Sequence, residues 1–191
     1  TGGDKNLTIK GCTAAANTHS LLQAKGIDVI LVEDCTVNSK NGLNFNNSNN
    51  VVVSNCTAEV KGYAVRFGEG SSDTTAETYT IENSTLKSSC DEADDAVIIL
   101  RGSAANATLN ITNTTIEGTR QIINNTNAKV YIDGAIVVSS ADEIAAALTA
   151  DKADVRVVLA NGIDLPISKL GQQTGGSGEY KLGSEQTENI T

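Results

Sequence analysis

Large side chains are scarce in this sequence. Its 191 residues include no tryptophan, no methionine and one proline, and aromatic residues make up 3% of the chain. A compact globular core normally uses aromatic side chains to fill its centre. The apolar residues present are mostly small or β-branched, which favours short strands packed around a narrow core.

The charge balance is acidic. Aspartate and glutamate total 23 against 14 lysines and arginines, which gives a formal net charge of −9. Binding to nucleic acid depends on basic side chains that neutralise phosphates, so we expect no nucleic acid partner. No apolar run approaches the length that spans a bilayer, so we expect no membrane insertion. The four cysteines lack the CxxC spacing of zinc sites, and no cofactor is indicated.

A short motif recurs along the chain. It reads LTIKGCT at 7–13, VILVEDCT at 29–36 and VVVSNCT at 51–57. Its second apolar residue returns at intervals of 23, 21, 28, 30 and 21 residues, in Ile9, Val32, Val53, Ile81, Ile111 and Ile132. Another apolar column stands two residues earlier, in Leu7, Ile30, Val51, Tyr79, Leu109 and Val130. A repeat of this length is typical of a solenoid.

Each copy of the motif ends in a turn residue and a small residue. The turn column consists of Gly11, Asp34, Asn55, Asn83, Asn113 and Gly134, which are types that tolerate a left-handed backbone. The small-residue column consists of Cys12, Cys35, Cys56, Ser84, Thr114 and Ala135. We predict that the first three of these cysteines are reduced, buried and selected for size.

A second strand recurs in every repeat. It reads SLLQ at 20–23, GLNF at 42–45, AVRF at 64–67, AVII at 96–99 and RQII at 120–123. Short alternating strands separated by Asn, Gly and Ser turns predict an all-β fold. The long intervals predict loops at 68–78 and at 87–95 or 101–107, beside which we expect any ligand site. We therefore predict a parallel β-solenoid with coils about 4.8 Å apart.

The VVVSNCT and YTIENSTL patterns resemble the right-handed parallel β-helix of the pectate lyase and polygalacturonase superfamily, over about residues 5–137. This resemblance implies a right-handed parallel β-helix of about six coils, which we assign to residues 1–137. The same rod carries lyases, hydrolases and adhesins, so the fold alone does not define a function.

The pattern changes after residue 137. Ser140 followed by Glu143 fits a capping box, so we predict a short C-terminal α-helix and an extra strand within 138–165. Residues 166–191 read as a loop-like tail, whose last four residues, ENIT, repeat the KNLT of residues 5–8. Either the chain is a piece of a longer array of modules, or its C-terminal segment covers an open end of the rod.

Some residues match catalytic motifs of the superfamily. Of the polygalacturonase motifs only Asp94-Asp95 is present, just before a strand, and the single histidine, His19, lacks flanking glycines. If the protein is an enzyme, the resemblance implies a site of Asp91, Asp94, Asp95 and Arg101. The alternative interpretation is a solvated acidic turn.

Pectate lyases suggest a binding site instead. A hard cation would be held by the oxygens of Asp91, Glu92, Asp94 and Asp95, if any metal binds. A cradle for an acidic sugar would consist of Arg66, Arg101, Lys61 and Glu69. An ordinary ladder of surface charges is the alternative. Tyr63, Phe67 and Phe45 are the best candidates for stacking on a sugar, although strand alternation places both phenylalanines in the core.

Three functions therefore remain open. The leading hypothesis is an extracellular, non-catalytic β-helix module of a bacterial surface protein that mediates adhesion or contacts a polysaccharide or host-cell glycan. The second is a polysaccharide lyase or glycoside hydrolase relative that acts on acidic polysaccharide. The third is a structural subunit that associates head to tail with other copies.

Overall fold

Short strands stack on one another through most of the chain. The computed structural model describes residues 5–68, 77–90, 92, 94–138, 143 and 157–159. All but one of the strand pairings in the described residues are parallel, and they unite the strands into three sheets, so the chain forms a parallel β-solenoid, as predicted. In the described part of the chain, two of the three sheets have five strands each, which makes five complete coils.

We name the sheets A, B and C in the order in which each coil visits them. Sheet A contains, in spatial order, β1 (Asn6–Lys10), β4 (Val29–Glu33), β7 (Asn50–Ser54), β10 (Thr78–Glu82), β13 (Thr108–Thr112), β16 (Lys129–Ile132), β17 (Ala135–Val138) and β18 (Val157–Leu159). Sheet B contains β2 (Thr13–Ala14), β5 (Thr36–Val37), β8 (Thr57–Val60), β11 (Thr85–Ser88) and β14 (Thr115–Glu117). Sheet C contains β3 (Leu22–Lys25), β6 (Leu43–Asn46), β9 (Val65–Phe67), β12 (Ile98–Leu100) and β15 (Ile122–Asn124).

The apolar columns stack as the sequence predicts. Every member of the Ile9–Ile132 column pairs with the next one in the register of sheet A. Val32, Val53 and Ile81 are fully buried, whereas Ile9 and Ile132 at the two ends are partly exposed. A slip by one residue would turn each of these side chains to solvent, so the columns fix the register of the coils.

The turn column is left-handed wherever one coil passes from sheet A to sheet B. Gly11, Asp34, Asn55, Asn83 and Asn113 have φ between 46° and 63°. This left-handed conformation costs free energy for residues other than glycine, and the cost is smallest for Asn and Asp. The repeated bend therefore explains why these residue types recur.

The small-residue column forms a hydrogen-bonded ladder. The backbone N–H of Cys56 donates to Ser84 Oγ at 3.1 Å, and that of Ser84 donates to Thr114 Oγ1 at 3.3 Å. Each of these side chains in turn donates to the carbonyl two residues earlier, as Ser84 Oγ does to Glu82 at 2.7 Å. The prediction from size alone was incomplete, since Cys, Ser and Thr share a γ atom that both donates and accepts.

The cysteine prediction was partly wrong. All four cysteines are free, and Cys35 and Cys56 are buried, but Cys12 is exposed. Cys12 belongs to the first coil, and no described residue stacks on its outer side. A residue of the end coil is therefore packed on one side only, whereas a residue of an inner coil is packed between two neighbouring coils.

The sixth copy of the motif ends in a hairpin. Strand β17 runs antiparallel to β16, and both residues between them, Asp133 and Gly134, have positive φ (47° and 81°). Two such residues are what a type I′ hairpin requires. Ala135 consequently pairs with Ile132 across the hairpin and does not continue the small-residue column.

Aromatic rings fill the rod interior on the side of sheet C. Phe45 and Phe67 stack with centroids 5.6 Å apart, and Phe67 and Tyr79 stack at 4.2 Å. All three are at most 1% exposed, which confirms that the phenylalanines belong to the core. These buried rings do not provide a surface at those positions on which a sugar could stack.

The C-terminal predictions are only partly testable. The extra strand is present as β18, which pairs in parallel with β17. The predicted helix, apart from Glu143, and the tail at 166–191 lie outside the described residues. Within the described part of the chain, no helix is long and apolar enough to cross a membrane.

Candidate functional site on the outer face of sheet C

Arg66 is held in place on the outer face of sheet C. Its neighbours on β9, Val65 and Phe67, are fully buried, so alternation turns Arg66 outward. Arg66 Nε donates to Oδ1 of Asn44, its register partner on β6, at 3.4 Å. The guanidinium carbon lies 4.6 Å from the ring centroid of Tyr63, within cation–π range. These contacts restrict the rotamers of a normally flexible side chain.

Arg101 lies on the same face but not directly opposite Arg66. The register partner of Arg66 is Ile99, and Arg101 stands two residues further along, just after β12. Two residues preserve the side of a strand, so both arginines belong to the outer face as diagonal neighbours. The geometry thus places the two predicted guanidinium groups on one face, on adjacent coils.

The acidic turn is anchored through its backbone. Arg101 Nη2 donates to the carbonyl of Asp94, and Arg120 Nη1 donates to the carbonyl of Glu92 at 2.8 Å. Within the described residues, no salt bridge joins the carboxylates of this turn to either arginine. Arg101 Nε is buried and finds no hydrogen-bond partner in the described part of the chain.

Hydrogen bonds within the turn hold its shape. The Asp95 N–H donates to the Glu92 carbonyl at 3.1 Å, and the Cys90 thiol donates to Asp95 Oδ2 at 3.6 Å. Burial raises the pKa of the Cys90 thiol, the Glu92 N–H lowers it, and the charge of Asp95 raises it further. Cys90 therefore favours the protonated form that donates to Asp95.

A small apolar cluster lies outside the rod core, beside this turn. It consists of Tyr63, Ala96 and Ile99, with Ile123 packed against it. Ile98 and Leu100 of β12 point into the main core, so Ile99 between them is on the outer side of the strand. Ile99 is nevertheless fully buried. The insertion between β11 and β12 therefore packs back onto sheet C and does not project freely from the rod.

The remaining predicted residues are dispersed or undescribed. Lys61 is exposed at the bend before β9, where its N–H donates to the Lys40 carbonyl. Glu69, which belongs to the predicted cradle for an acidic sugar, lies outside the described residues. So does Asp91, which belongs to the predicted catalytic and cation-binding sets. His19 precedes β3 in the first coil, three strands away from β12 in sheet C.

The described acidic residues do not assemble a metal centre. No group of three or more His, Cys, Asp or Glu side chains suited to a metal ion occurs in the described part of the chain. Of the proposed ligands, Glu92 and Asp94 are exposed and Asp95 is half-buried. With Asp91 undescribed, the cation set stays a prediction.

Sequence reasoning missed Arg120, Asn44 and the role of Tyr63. Arg120 begins the RQII segment that recurs with the other second strands, so its position just before β15 of sheet C was predictable. Its contact with Glu92 was not, because it depends on how the insertion folds back over two coils. The Asn44–Arg66 contact follows from counting the register of β6 against β9.

In comparisons with known proteins, no model of a protein family, no curated protein and no solved structure matched this chain significantly. The fold is therefore established from the strand pairing itself.

Proposed function

We propose that this chain is a non-catalytic β-helix module that binds an acidic glycan on the outer face of sheet C. The observation that carries the proposal is the restrained Arg66, which is stacked on Tyr63 and bonded to Asn44. Arginine recognises carboxylates through paired N–H donors. A guanidinium that is already oriented loses less conformational entropy on binding.

The charge distribution supports the same ligand class. The chain carries a net charge of −9, yet Arg66 lies on β9 and Arg101 directly follows the adjacent strand β12. Two guanidinium groups on neighbouring coils of an acidic protein favour a specific anionic ligand over general attraction to polyanions. Uronic acid residues, as in pectin-like polysaccharides, have the required carboxylates.

The wider setting is part of the proposal. We assign the module to the pectate lyase and polygalacturonase-like β-helix superfamily, as a surface-protein type located outside the cell or on its surface. The supports are the parallel stacking in three sheets and the motif resemblance. Adhesion to a polysaccharide or a cell-surface glycan would be the biological role.

Titration calorimetry with oligogalacturonate tests the binding proposal. The double variant Arg66→Gln and Arg101→Gln should bind at least tenfold more weakly than the wild type, because two charge-assisted hydrogen bonds are lost. Lys87→Gln is a matched control, since Lys87 is on sheet B and pairs with Glu117. It should bind as the wild type does.

Two results would contradict this proposal. Equal affinity of the wild type and the double variant would exclude the arginine site, and tight binding to a neutral glucan would exclude selection by charge. The same samples also test catalysis. Release of unsaturated or reducing ends from polygalacturonate, abolished by Asp94→Asn, would favour the alternative enzyme that uses Asp94, Asp95 and Arg101.

Head-to-tail association with other copies, the third hypothesis, stays a proposal, and the end of sheet A bears on its geometry. A rod that continues from one copy to the next needs parallel edges at both of its ends. In sheet A, the antiparallel β17 follows β16, so the in-register stack of the coils is interrupted there. Self-association would therefore need a different geometry at this end.

A further inference from the structure

Three exposed lysines beside sheet C lack the ion pairs that occur on the other faces of the rod. On sheet A, Lys10 pairs with Glu33 at 2.6 Å, and on sheet B, Lys87 pairs with Glu117 at 2.8 Å. In the described part of the chain, no salt bridge forms at Lys25, Lys40 or Lys61. Their charges are therefore not neutralised locally by carboxylates of the described residues.

The same lysines flank the outer face of sheet C on the first three coils. Lys40 and Lys61 occupy the bend before sheet C on adjacent coils, because the Lys61 N–H donates to the Lys40 carbonyl at 3.2 Å. Lys25 follows the buried Ala24 on β3, so alternation turns Lys25 to the outer face. Between these flanks runs a row of register partners, Gln23, Asn44 and Arg66. We name the six residues Gln23, Lys25, Lys40, Asn44, Lys61 and Arg66 the sheet C strip.

The segments that form the sheet C strip contain no acidic residue. Residues 15–27, 38–47 and 60–68 include three lysines and one arginine and neither Asp nor Glu, although the net charge of the chain is −9. The sign reverses on the fourth coil, where Glu92, Asp94 and Asp95 precede β12. The same insertion covers Ile99, which follows Arg66 in the outer row. An anionic chain is therefore attracted to the first three coils and repelled at the fourth.

We propose that the acidic glycan lies lengthwise on the sheet C strip and places successive carboxylates on the first three coils. This inference rests on the proposed function and extends it from an arginine site to a row of cationic positions. Stacked strands are about 4.8 Å apart, so the three coils present positive side chains over roughly 10 Å along the rod axis. The ligand class is a linear polyuronate of at least three units, since a disaccharide has carboxylates for two coils only.

The two kinds of cation have different roles in this arrangement. Arg66 is oriented by its contacts with Asn44 and Tyr63, so it fixes the position of one uronate. The lysines are exposed and flexible point charges, whose attraction is screened by salt. Each further uronate should therefore add affinity in an increment that decreases as the salt concentration rises.

Titration calorimetry of the 191-residue chain with digalacturonate and hexagalacturonate at low ionic strength tests this proposal. The wild type should bind the hexamer at least tenfold more tightly than the dimer, and added salt should reduce the difference. The triple variant Lys25→Gln, Lys40→Gln and Lys61→Gln should bind the hexamer at least tenfold more weakly, with a smaller loss for the dimer.

A second triple variant provides a control with the same change in net charge. Lys10→Gln, Lys87→Gln and Lys129→Gln remove three charges from sheets A and B, and the exposed ion pairs of Lys10 and Lys87 contribute little stability. This control should bind the hexamer as the wild type does. Equal losses in the two triple variants would show a general effect of net charge and overturn the sheet C strip.

Amide chemical shifts test the lengthwise orientation. The hexamer should perturb Gln23 and Lys25 of the first coil as well as Arg66, whereas the dimer should perturb mainly Asn44 and Arg66. Equal affinity for the two oligomers, or a first coil that the hexamer leaves unchanged, would overturn lengthwise binding while the Arg66 and Arg101 site of the proposed function stands. Absence of binding to either oligomer by the wild type would overturn both.

Discussion

An aspartate at position 53 should severely destabilise the protein, whereas an aspartate at position 52 should not. Val53 is fully buried between Val32 and Ile81 in the apolar column of sheet A. Val52, its neighbour on β7, belongs to the opposite side of the strand and is partly exposed. The variants Val53→Asp and Val52→Asp therefore place the same charge on the same strand, one inside and one outside the rod.

The size of the effect follows from burial. Losing the buried valine side chain costs about 2 kcal/mol. A fully buried carboxyl can have its pKa raised to about 8 from about 3.9, which at pH 7 costs roughly 4 kcal/mol more. The sum, about 6 kcal/mol, is comparable to the whole stability of many domains. Val52→Asp should cost less than about 1 kcal/mol, as most surface substitutions do.

Urea denaturation followed by circular dichroism measures both free energies of unfolding. The pH dependence gives a second check, because the pKa of the carboxyl introduced by Val53→Asp is raised in the folded state. Its penalty should be smallest near pH 4, increase as the pH rises through the interval between the unfolded and folded pKa values, and then level off. Equal destabilisation by the two variants, or a larger effect of Val52→Asp, would refute the inward assignment of this column.

Four further predictions concern the turns and the small-residue ladder. Ser84→Ala should lower the free energy of unfolding by about 1–3 kcal/mol, because the Cys56 N–H loses its acceptor, whereas Ser84→Thr should cost clearly less; equal losses would argue against the ladder. In the folded protein a thiol reagent should modify Cys12 and spare Cys35 and Cys56, and rapid labelling of Cys56 would contradict its burial. Burial is the largest cause that raises the pKa of the Cys56 thiol from 9.0 to about 11 in the folded protein. The contribution of Cys56 to the free energy of unfolding should therefore decline as the pH rises from about 9 towards 11. Denaturation curves of Cys56→Ser should lack this decline. Asn55→Ala should cost about 1 kcal/mol and Asn55→Gly less, because φ is 53° at this position, and the reverse order in thermal denaturation would contradict a left-handed turn.

The sequence was most informative where a residue recurs on every coil. The apolar columns and the left-handed turns were predictable, because a solenoid applies the same steric rule at each repeat. Sheet B was not recognised as a separate strand, since its strands have only two to four residues, as in Thr13–Ala14. The hairpin at Asp133-Gly134 was overlooked because Gly134 also fits the spacing of the turn column.

The candidate site was only partly predictable, for a different reason. The outward position of Arg66 follows from strand alternation, which is local. The contacts of Arg101 and Arg120 depend on an insertion that folds back over neighbouring coils, and no periodicity constrains an insertion. Cys12 shows a related effect, because being buried depends on a neighbouring coil as well as on the residue type.

Inter-coil nuclear Overhauser effects test the central structural claim, the parallel in-register stacking of the coils, most directly. Thr57 pairs with Thr36 on one side and with Thr85 on the other, so its backbone protons should show contacts with both of these strands. The expected pattern is the Hα-to-amide contacts of parallel strands, repeated along the Thr13, Thr36, Thr57, Thr85 and Thr115 row. Strong Hα–Hα contacts between these strands, which are typical of antiparallel pairing, would contradict the solenoid.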